Sequence, residues 1–345
     1  VILDPEGKTK SVPASIGKQD GENIALTVDS RLQQAIFNRF DGDKSCSVAM
    51  NPYTGEVLAL VSTPSFNGND LILGMSDALW NSLKEDEGKP LLNRFRQKLS
   101  PGSSFKPIIA AIGLKTGAID PEEDYGNVGL KWQKDSSWGN YYVSTLHSYD
   151  PVVLENALIY SDNIYFAKAA LKIGRDTFTS SLEKLGFGQD IPFDIVMKHS
   201  QYANKGEELN SEVTLADSGY GQGQMLVNPL HMAGMYSAFA NGGDMIKPKL
   251  EFCESPTPEN WVEGAFTPEA ANTVKDDMIQ VVENPEGSGH AVKMDDISLA
   301  GKTGTAEIKA SKEDTGGTEL GWFDVFTADQ NQDAPILLIT MIQDV

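Results

Sequence analysis

Segments with the apolar alternation of β-strands lie at both ends of this chain, and segments with helical spacing fill the middle. The strand-like segments are Ile24–Val28, Ser47–Met50, Glu56–Val61, Ile297–Lys302, Leu320–Thr327 and Pro335–Ile342. The turn sequence Asn51–Gly55 predicts that the second and third of them form a hairpin. Strands at both ends with helices between them predict an α+β (mixed) fold with a helical insertion.

The helical segments carry recognisable start and stop signals. Asp29 is a predicted N-cap before Leu32, Ala35 and Ile36, and Gly186 is a predicted stop after Phe178, Leu182 and Leu185. Asn228-Pro229 and Thr267-Pro268 are predicted to open two further helices, the first running to about Ala240. In the second, Ala271, Val274, Met278 and Val281 share the predicted inner face.

Composition excludes several classes of protein. The 345 residues include 28 Lys+Arg and 49 Asp+Glu, a net charge of −21, so a nucleic-acid partner is not expected. With 40% hydrophobic and 22% charged residues, the chain is predicted to be globular. The longest apolar runs, Ile108–Leu114 and Ile336–Ile339, are far shorter than the roughly 18 residues that a membrane-spanning helix needs.

The first residues predict a connection to something upstream. Val1–Asn23 is rich in Lys, Gly, Ser, Pro and Asp and is predicted to be an extended linker, with the main domain over residues 24–345. Within that domain we expect the sheet region at about 24–62 and 297–345 and the helical region between them. The two cysteines, Cys46 and Cys253, are more readily explained as unpaired residues than as a disulfide.

Three common kinds of site fit the sequence poorly. The four histidines, at 147, 199, 231 and 290, have no metal-ligand spacing and no Gly-x-Ser-x-Gly elbow near them. Nucleotide binding is the runner-up class. However, Gly301–Thr303 has Asp296 where a phosphate-binding loop needs Gly, and Gly219–Gln224 ends in Gln where a dinucleotide motif needs Gly. A loop bordering a cleft and a purely structural turn are both open interpretations of Gly219–Gln224.

A serine and a lysine at helical spacing offer nucleophilic chemistry. Pro101–Lys106 contains Ser103 and Lys106 just before the apolar run Ile108–Leu114, so both side chains are predicted to lie on one face at a helix start. A serine hydroxyl needs a base, and lysine, with an ordinary pKa of about 10.4, is a base only if that pKa is lowered. Burial, the positive helix N-terminus and a second cation would each lower it.

Two further motifs follow in a defined order, and together the three are specific. They are Ser-x-x-Lys at Ser103–Lys106, Ser-Asp-Asn at Ser161–Asn163 and Lys-Thr-Gly-Thr at Lys302–Thr305. This trio resembles that of the penicillin-recognising serine transferases and hydrolases. The hairpin segment Asn51–Leu60 and the sequence Lys302–Glu307 resemble the class B monofunctional penicillin-binding proteins in particular.

Two other stretches resemble one subgroup of that class, the low-affinity, methicillin-resistance type of Gram-positive bacteria. They are Trp132–Asp135 with Ser137–Gly139, and Leu215–Gly223. The resemblance extends from about residue 24 to the end of the chain. It implies a penicillin-binding transpeptidase or serine β-lactamase-like fold: a central five-stranded antiparallel sheet flanked by helices, plus an all-helical subdomain.

The resemblance also implies roles for individual residues. Ser103 would attack the penultimate D-Ala carbonyl of a peptidoglycan stem peptide, and Lys106 would accept the proton of Ser103. Ser161 and Lys302 would pass a proton to the departing D-Ala, and Asn163 would hold the substrate amide and Lys106. The remaining roles concern binding: backbone N–H groups of Ser103 and Thr305 as an oxyanion hole, Gly304 for close approach, and the hydroxyls of Thr303 and Thr305 for the terminal carboxylate.

The resemblance implies partners and a location as well, but no cofactor or metal. The expected partners are stem peptides ending in D-Ala-D-Ala, β-lactam antibiotics that acylate the enzyme slowly, and a glycosyltransferase of the cell-wall machinery. The expected location is the extracytoplasmic face of the bacterial membrane, through an N-terminal anchor absent from this chain. The alternative is a serine β-lactamase or β-lactam sensor, although Gly206 stands where class A β-lactamases have their catalytic Glu.

Overall fold

Five of the six segments predicted to be strands meet in one antiparallel sheet. The computed structural model describes residues 2–11, 17, 19–40, 42–255, 257–308 and 318–345. Within these residues the strands are β1 Ile2–Leu3, β2 Thr9–Ser11, β3 Ser45–Met50, β4 Val57–Thr63, β5 Lys131–Trp132, β6 Val143–Ser144, β7 Met245–Ile246, β8 Asn260–Val262, β9 Leu299–Ile308, β10 Thr318–Thr327 and β11 Leu337–Gln343. The main sheet has the order β4-β3-β11-β10-β9.

All of the α-helices in the described residues lie between β4 and β9 in the chain, except the first, which precedes β3. They are α1 Ser30–Arg39, α2 Gly68–Leu73, α3 Asp77–Glu85, α4 Lys106–Lys115, α5 Leu154–Ile159, α6 Asn163–Ile173, α7 Arg175–Lys184, α8 Glu212–Ser218, α9 Pro229–Ala240 and α10 Pro268–Glu283. Short 3-10 helices span Arg94–Arg96, Gly102–Phe105, Ser136–Trp138 and His290–Val292. The α+β fold class predicted from the sequence is confirmed.

Helices cover both faces of the main sheet. On one face α1 buries Ile36 against Ala49, Ala59 and Val61. On the other face α9 packs on β3 and β11, and α10 packs on β9 and on α4. Because both faces are covered, every residue of β3 is buried.

The predicted caps close the helices that they precede. The Asp29 side chain accepts hydrogen bonds from the first turn of α1, and Thr267 does so for α10. Asn228 caps α9 and is itself fully buried. The inner faces predicted for α7 and α10 are buried, which confirms the helical spacing in both segments.

Ile24–Val28 is not a strand, and this prediction was wrong. Only an isolated bridge between Leu26 and Glu251 is formed, and Ile24 and Leu26 are 71% and 51% exposed. The buried residue is Thr27, whose hydroxyl donates to the Val57 carbonyl over 2.6 Å. The apolar alternation therefore faces solvent, because the segment has no continuous strand to pair with.

The first residues of the chain include two short strands. Ile2–Leu3 and Thr9–Ser11 pair as a small hairpin inside the segment predicted to be an extended linker, while residues 1, 12–16 and 18 of that segment lie outside the described residues.

The two cysteines are unpaired, as predicted. Cys46 is buried in β3 and Cys253 is exposed, and both thiols are free.

Candidate active site

Ser103 and Lys106 lie where a short 3-10 helix passes into α4. Gly102–Phe105 forms the 3-10 turn and Lys106 is the first residue of α4, followed by Pro107, so the predicted helix start is found. Ser103 lines a cleft with a volume of about 920 Å³. The Lys106 side chain is fully buried behind it.

Several distant residues hold this turn in place. The Gly102 amide donates to the Gly221 carbonyl over 3.0 Å, and the Trp322 indole donates to the Ser100 carbonyl over 2.8 Å. The Tyr236 hydroxyl donates to the Ser104 carbonyl over 2.6 Å. The nucleophile segment is thus fixed by β10, by α9 and by the loop after α8, none of which its local sequence identifies.

Gly304 packs against the same turn from β9. A Cβ atom at this position would lie 2.8 Å from both the Pro101 carbonyl oxygen and the Ser104 amide nitrogen. Contacts that short do not occur, so any side chain here would push the turn away from the strand. The close approach expected of Gly304 is therefore an approach to the Ser103 turn.

Ser161 occupies an unusual backbone conformation between α5 and α6. Its φ is +54°, in the left-handed region that residues other than glycine rarely adopt. The next residue, Asp162, caps α6 by accepting from the Ile164 amide over 2.7 Å. Strain of this kind is typical of functional positions, where surrounding contacts hold the residue in place.

The Ser161 hydroxyl connects the two buried lysines. Lys106 Nζ lies 3.2 Å from Ser161 Oγ, and Lys302 Nζ lies 2.9 Å from the same atom. Lys106 also donates to the Ser161 carbonyl over 2.5 Å and to Asn163 Oδ1 over 2.8 Å. Four of the predicted site residues, from three distant motifs, therefore form one hydrogen-bonded cluster.

Burial changes the proton affinity of both lysines. Burial, together with the nearby Lys302, lowers the pKa of Lys106 well below its usual range. Burial lowers the pKa of Lys302 to about 7, although the carboxyl of Asp324 acts in the opposite direction. Lys302 can thus exchange protons near neutral pH, and burial favours the neutral form of Lys106 that a general base must have.

One contact expected from the spacing is not made. Ser103 Oγ and Lys106 Nζ form no hydrogen bond with each other, because Lys106 Nζ is engaged by Ser161 and Asn163. Catalytic hydrogen bonds often tighten only when substrate binds, so the separation is compatible with a base role for Lys106.

Thr303, Gly304 and Thr305 lie on β9, one of the two edge strands of the main sheet, and line the cleft together with Ser161. The Thr303 hydroxyl donates to Ser288 Oγ over 2.7 Å. Ser288 also lies 3.5 Å from Lys302 Nζ and lines the cleft, but no motif pointed to it.

The loop after α8 borders the cleft and also serves as a structural turn. Tyr220, Gln222 and Gly223 line the cleft, and Gln222 Nε2 donates to the Thr305 carbonyl over 3.4 Å. Gly221 contacts the Ser103 turn. Both interpretations of Gly219–Gln224 that the sequence left open therefore hold, in different residues.

Neither near-match to a nucleotide motif has the required structural context. Gly301–Thr303 lies inside β9, a ten-residue strand, and not in a loop that leads into a helix. Gly219–Gln224 follows a helix, whereas a dinucleotide motif follows a strand.

Comparison with known proteins identifies the family. Residues 45–345 match the model of the penicillin binding protein transpeptidase domain. The chain is similar to penicillin-binding protein 3 of Bacillus subtilis, at 43% identity over 98% of this chain and 50% of the relative. It is also similar to the peptidoglycan D,D-transpeptidase MrdA of Acinetobacter baumannii, at 29% identity over 86% of this chain and 46% of the relative.

Solved structures share the fold. A D,D-transpeptidase domain of a peptidoglycan glycosyltransferase from Eggerthella lenta superimposes with a TM-score of 0.78 at 25% identity, covering 93% of this chain and 78% of the other. Pseudomonas aeruginosa PBP2 in complex with WCK 5153 superimposes with a TM-score of 0.79 at 27% identity, covering 93% and 74%.

The fold and the lysine–serine cluster define a penicillin-recognising serine enzyme scaffold. Within that class, the chain belongs to the penicillin-binding protein transpeptidase domain family, of the class B type. It spans about half the length of the curated relatives that it matches.

Proposed function

We propose that this chain is a serine-type peptidoglycan D,D-transpeptidase that works through an acyl-enzyme on Ser103. The observation that carries the proposal is the Ser161 hydroxyl, which lies within hydrogen-bond distance of two buried lysines beside a cleft lined by Ser103. Such an arrangement can move a proton between two bases without exposing it to solvent.

Each motif residue has a role in this proposal. Ser103 attacks the penultimate D-Ala carbonyl of a stem peptide, and Lys106 accepts the Ser103 proton. Ser161, between Lys106 and Lys302, relays a proton to the amine of the departing D-Ala. The Asn163 amide, held by Lys106 on one side and the Ser144 carbonyl on the other, orients the substrate amide.

Substrate binding is assigned to β9 and to the Ser103 turn. The backbone N–H groups of Ser103 and Thr305 stabilise the oxyanion, and Gly102, packed against the Thr305 carbonyl, keeps the two segments adjacent. The hydroxyls of Thr303 and Thr305 bind the terminal carboxylate of the stem peptide.

The second candidate, a serine β-lactamase or sensor, is less well supported by the geometry. The only stretch comparable to the deacylating loop is Gly206–Asn210, and none of its residues lines the cleft. The Glu207 carboxylate accepts from Gln224 over 2.5 Å. Because this stretch brings no carboxylate to the cleft to activate water at the acyl bond, the ester on Ser103 should be long-lived.

The test is acylation by penicillin, followed by mass mapping of the modified peptide. Wild-type protein should acquire one adduct on Ser103, and Ser103→Ala should fold with the wild-type urea midpoint and take up no penicillin. Acylation of Ser104 or Ser161 would contradict the assignment.

The lifetime of the adduct separates the two candidates. After removal of free drug, a transpeptidase should retain the adduct for many minutes. Rapid release, with catalytic loss of the β-lactam ring from excess penicillin, would instead identify a β-lactamase.

Finer assignments rest on the motif resemblance. We propose that β-lactams acylate Ser103 slowly, as in the low-affinity, methicillin-resistance subgroup, because Trp132–Asp135 and Leu215–Gly223 resemble the sequences of that subgroup. We also propose that the protein is attached to the extracytoplasmic face of the membrane and that it cooperates with a glycosyltransferase. None of the helices in the described part of the chain is both long and apolar enough to cross a bilayer.

A further inference from the structure

A fully buried aspartate lies behind the active site. Asp324, in the middle of β10, has no solvent exposure, and neither of its carboxyl oxygens has a hydrogen-bond partner among the described residues. A buried carboxyl in that state is costly, so its presence needs a reason. None of the roles assigned above uses it.

The strand register places Asp324 beside one of the two lysines. Its partner on β9 is Lys302, and its partner on β11 is Ile339. Side chains of directly opposite residues on one sheet face start about 5 Å apart, so the carboxyl and the Lys302 stem are neighbours. Lys302 is itself fully buried, and its ammonium reaches the Ser161 hydroxyl.

Lys302 is the cation that acts on this carboxyl. Burial raises the pKa of Asp324, and the Ser104 hydroxyl and the Lys302 ammonium oppose that rise. The Ser104 hydroxyl itself donates to the Pro101 carbonyl. Tyr236 of α9 and Cys46 of β3 also face the carboxyl. Burial, and to a smaller extent Asp324, raise the pKa of both groups, so both are neutral at physiological pH.

The proposed reaction requires that the two lysines differ. Lys106 must be neutral to accept the Ser103 proton, while Lys302 must carry a proton to supply the leaving amine through Ser161. Both are buried lysines that contact the same hydroxyl. The surroundings of each lysine must therefore decide which of them holds the proton, and a nearby charge is the strongest such influence.

A second buried carboxyl, Asp162, acts on Lys106, but its charge is shared. Its Oδ1 accepts from the Ile164 amide over 2.7 Å, and its Oδ2 accepts from the Tyr149 hydroxyl over 2.8 Å. Neither oxygen of Asp324 accepts such a bond from the described residues, so the charge that Asp324 carries when it is ionised is not divided in this way and acts on Lys302.

We propose that Asp324 is a positioning residue that keeps the proton of the lysine pair on Lys302 and thereby leaves Lys106 free to act as the base. This inference rests on the proposed function. No atom of Asp324 enters the reaction: the Ser103 proton passes to Lys106, the Lys302 proton passes through Ser161 to the leaving amine, and the Lys106 proton then restores Lys302 by the same path. The carboxyl and Lys302 titrate as a pair.

The experiment is the pH profile of Ser103 acylation by penicillin, followed by mass between about pH 5.5 and 9.5. Asp324→Asn keeps the size of the side chain and removes the charge, so Lys302 should lose its proton at lower pH. We expect the alkaline limb of the profile to move down by about one pH unit or more, which slows acylation about tenfold on that limb.

Two further variants make the test specific. Asp324→Leu also removes the charge and needs no hydrogen bond, so it should shift the limb in the same way even if a buried amide disrupts folding. Asp277→Asn is the matched control, because Asp277 is also buried and its Oδ2 also has no hydrogen-bond partner among the described residues. Burial and neighbouring carboxylates, and no lysine of the described part of the chain, shift its pKa. Its profile should match wild type.

The possible outcomes distinguish a wrong role for Asp324 from a wrong proposed function. An unchanged alkaline limb in folded Asp324→Asn and Asp324→Leu, with Ser103 still acylated, would overturn the role of Asp324 and leave the proposed function intact. An equal shift in Asp277→Asn would overturn it too. Wild-type protein that takes up no penicillin on Ser103 would overturn both.

Discussion

Burial changes the chemistry available to individual side chains in this protein. Lys106 and Lys302 are fully enclosed, and the loss of hydration favours the neutral forms of two residues that are cations on a surface. The same effect acts with opposite sign on acids. Burial raises the pKa of Asp277 to about 8, helped by Glu155, Asp276 and Glu122.

Lys106→Arg should abolish most of the acylation of Ser103. Arginine keeps the positive charge but cannot be deprotonated in a protein, so the base is lost while the cation remains. We expect a rate reduced at least about a hundredfold, measured by penicillin uptake, with the urea midpoint as the control for folding. Retention of the wild-type rate and pH profile would exclude Lys106 as the base.

Asp277→Asn should stabilise the protein at alkaline pH. The folded pKa of about 8 lies above the unfolded value of 3.8, so the stability linked to this group is present below pH 3.8 and is lost as pH rises towards 8. Each unit of pKa shift corresponds to about 1.36 kcal/mol, so the cost above pH 8 is on the order of several kcal/mol.

Urea unfolding at about pH 5 and pH 8.5 measures this difference. The variant should gain stability over wild type between the two values, because its side chain stays neutral throughout. A constant difference between variant and wild type at both pH values would contradict the assigned shift.

The position of the Ser103 turn depends on contacts with separate strands and loops. Gly221, with φ +75°, lies against Gly102, and a Cβ at this position would be 2.1 Å from the Gly102 carbonyl oxygen. Gly304 contacts the same turn from β9. The turn is therefore held by both β9 and the loop after α8.

Gly221→Ala should slow acylation at least tenfold, because the new methyl group displaces the turn that carries Ser103. Gly188→Ala is the matched control, since Gly188 has the same φ of +75° and no atom lies within 4 Å of the place that a Cβ would occupy. Both variants should lose about 1 kcal/mol of stability from the left-handed backbone alone. Equal acylation rates in the two variants would show that the contact with Gly221 does not position Ser103.

The N-caps of α9 and α10 have the same local sequence pattern and different consequences. Both precede a proline, but Asn228 is fully buried and its amide also donates to the carbonyls of Phe95 and Gln97, over 2.9 Å and 2.8 Å. It therefore connects α9 to the segment that leads into the Ser103 turn.

Asn228→Ala should cost about 3 kcal/mol or more, because it removes a cap and leaves one buried and one half-buried carbonyl without donors. Thr267→Ala removes a cap alone and should cost about 1 kcal/mol. Urea midpoints with equal slopes measure both losses. Similar losses would indicate that water replaces the Asn228 amide.

For the whole molecule, the dominant physical property is its net charge of −21. The ion pairs formed among the described residues lie mostly at the surface and each contributes little. Like charges repel over the folded surface, and salt screens that repulsion.

Added salt should therefore stabilise the protein at pH 7. Raising NaCl from about 20 mM to about 200 mM shortens the Debye length to below roughly 10 Å, so the urea midpoint should rise. The control is the same salt step near the isoelectric point of about 4.5, where the net charge is small and the response should be slight. An equal response at both pH values would show that salt does not act through net charge.

Local features of this protein could be predicted from short stretches of its sequence. Caps such as Asp29 and Asn228, the hairpin of β3 and β4, and the Ser103–Lys106 helix start depend on residues a few positions apart, so periodicity and spacing reveal them. The three motifs and their order along the chain also indicated the family. The prediction of a strand at Ile24–Val28 was wrong, because a strand needs a neighbouring strand to pair with, and the apolar alternation of a sequence does not show whether one is present.

Contacts between residues far apart in the chain depend on the folded arrangement of the strands and helices. Ser288 reaches Thr303, Gly221 supports Gly102, and Asp324 lies opposite Lys302, and no local pattern distinguishes these residues from others of their type. The strand order β4-β3-β11-β10-β9, which brings the two ends of the chain together, produces these neighbours. The pKa values of the lysines follow from it, because desolvation and charge proximity depend on distance in space and not on distance along the chain.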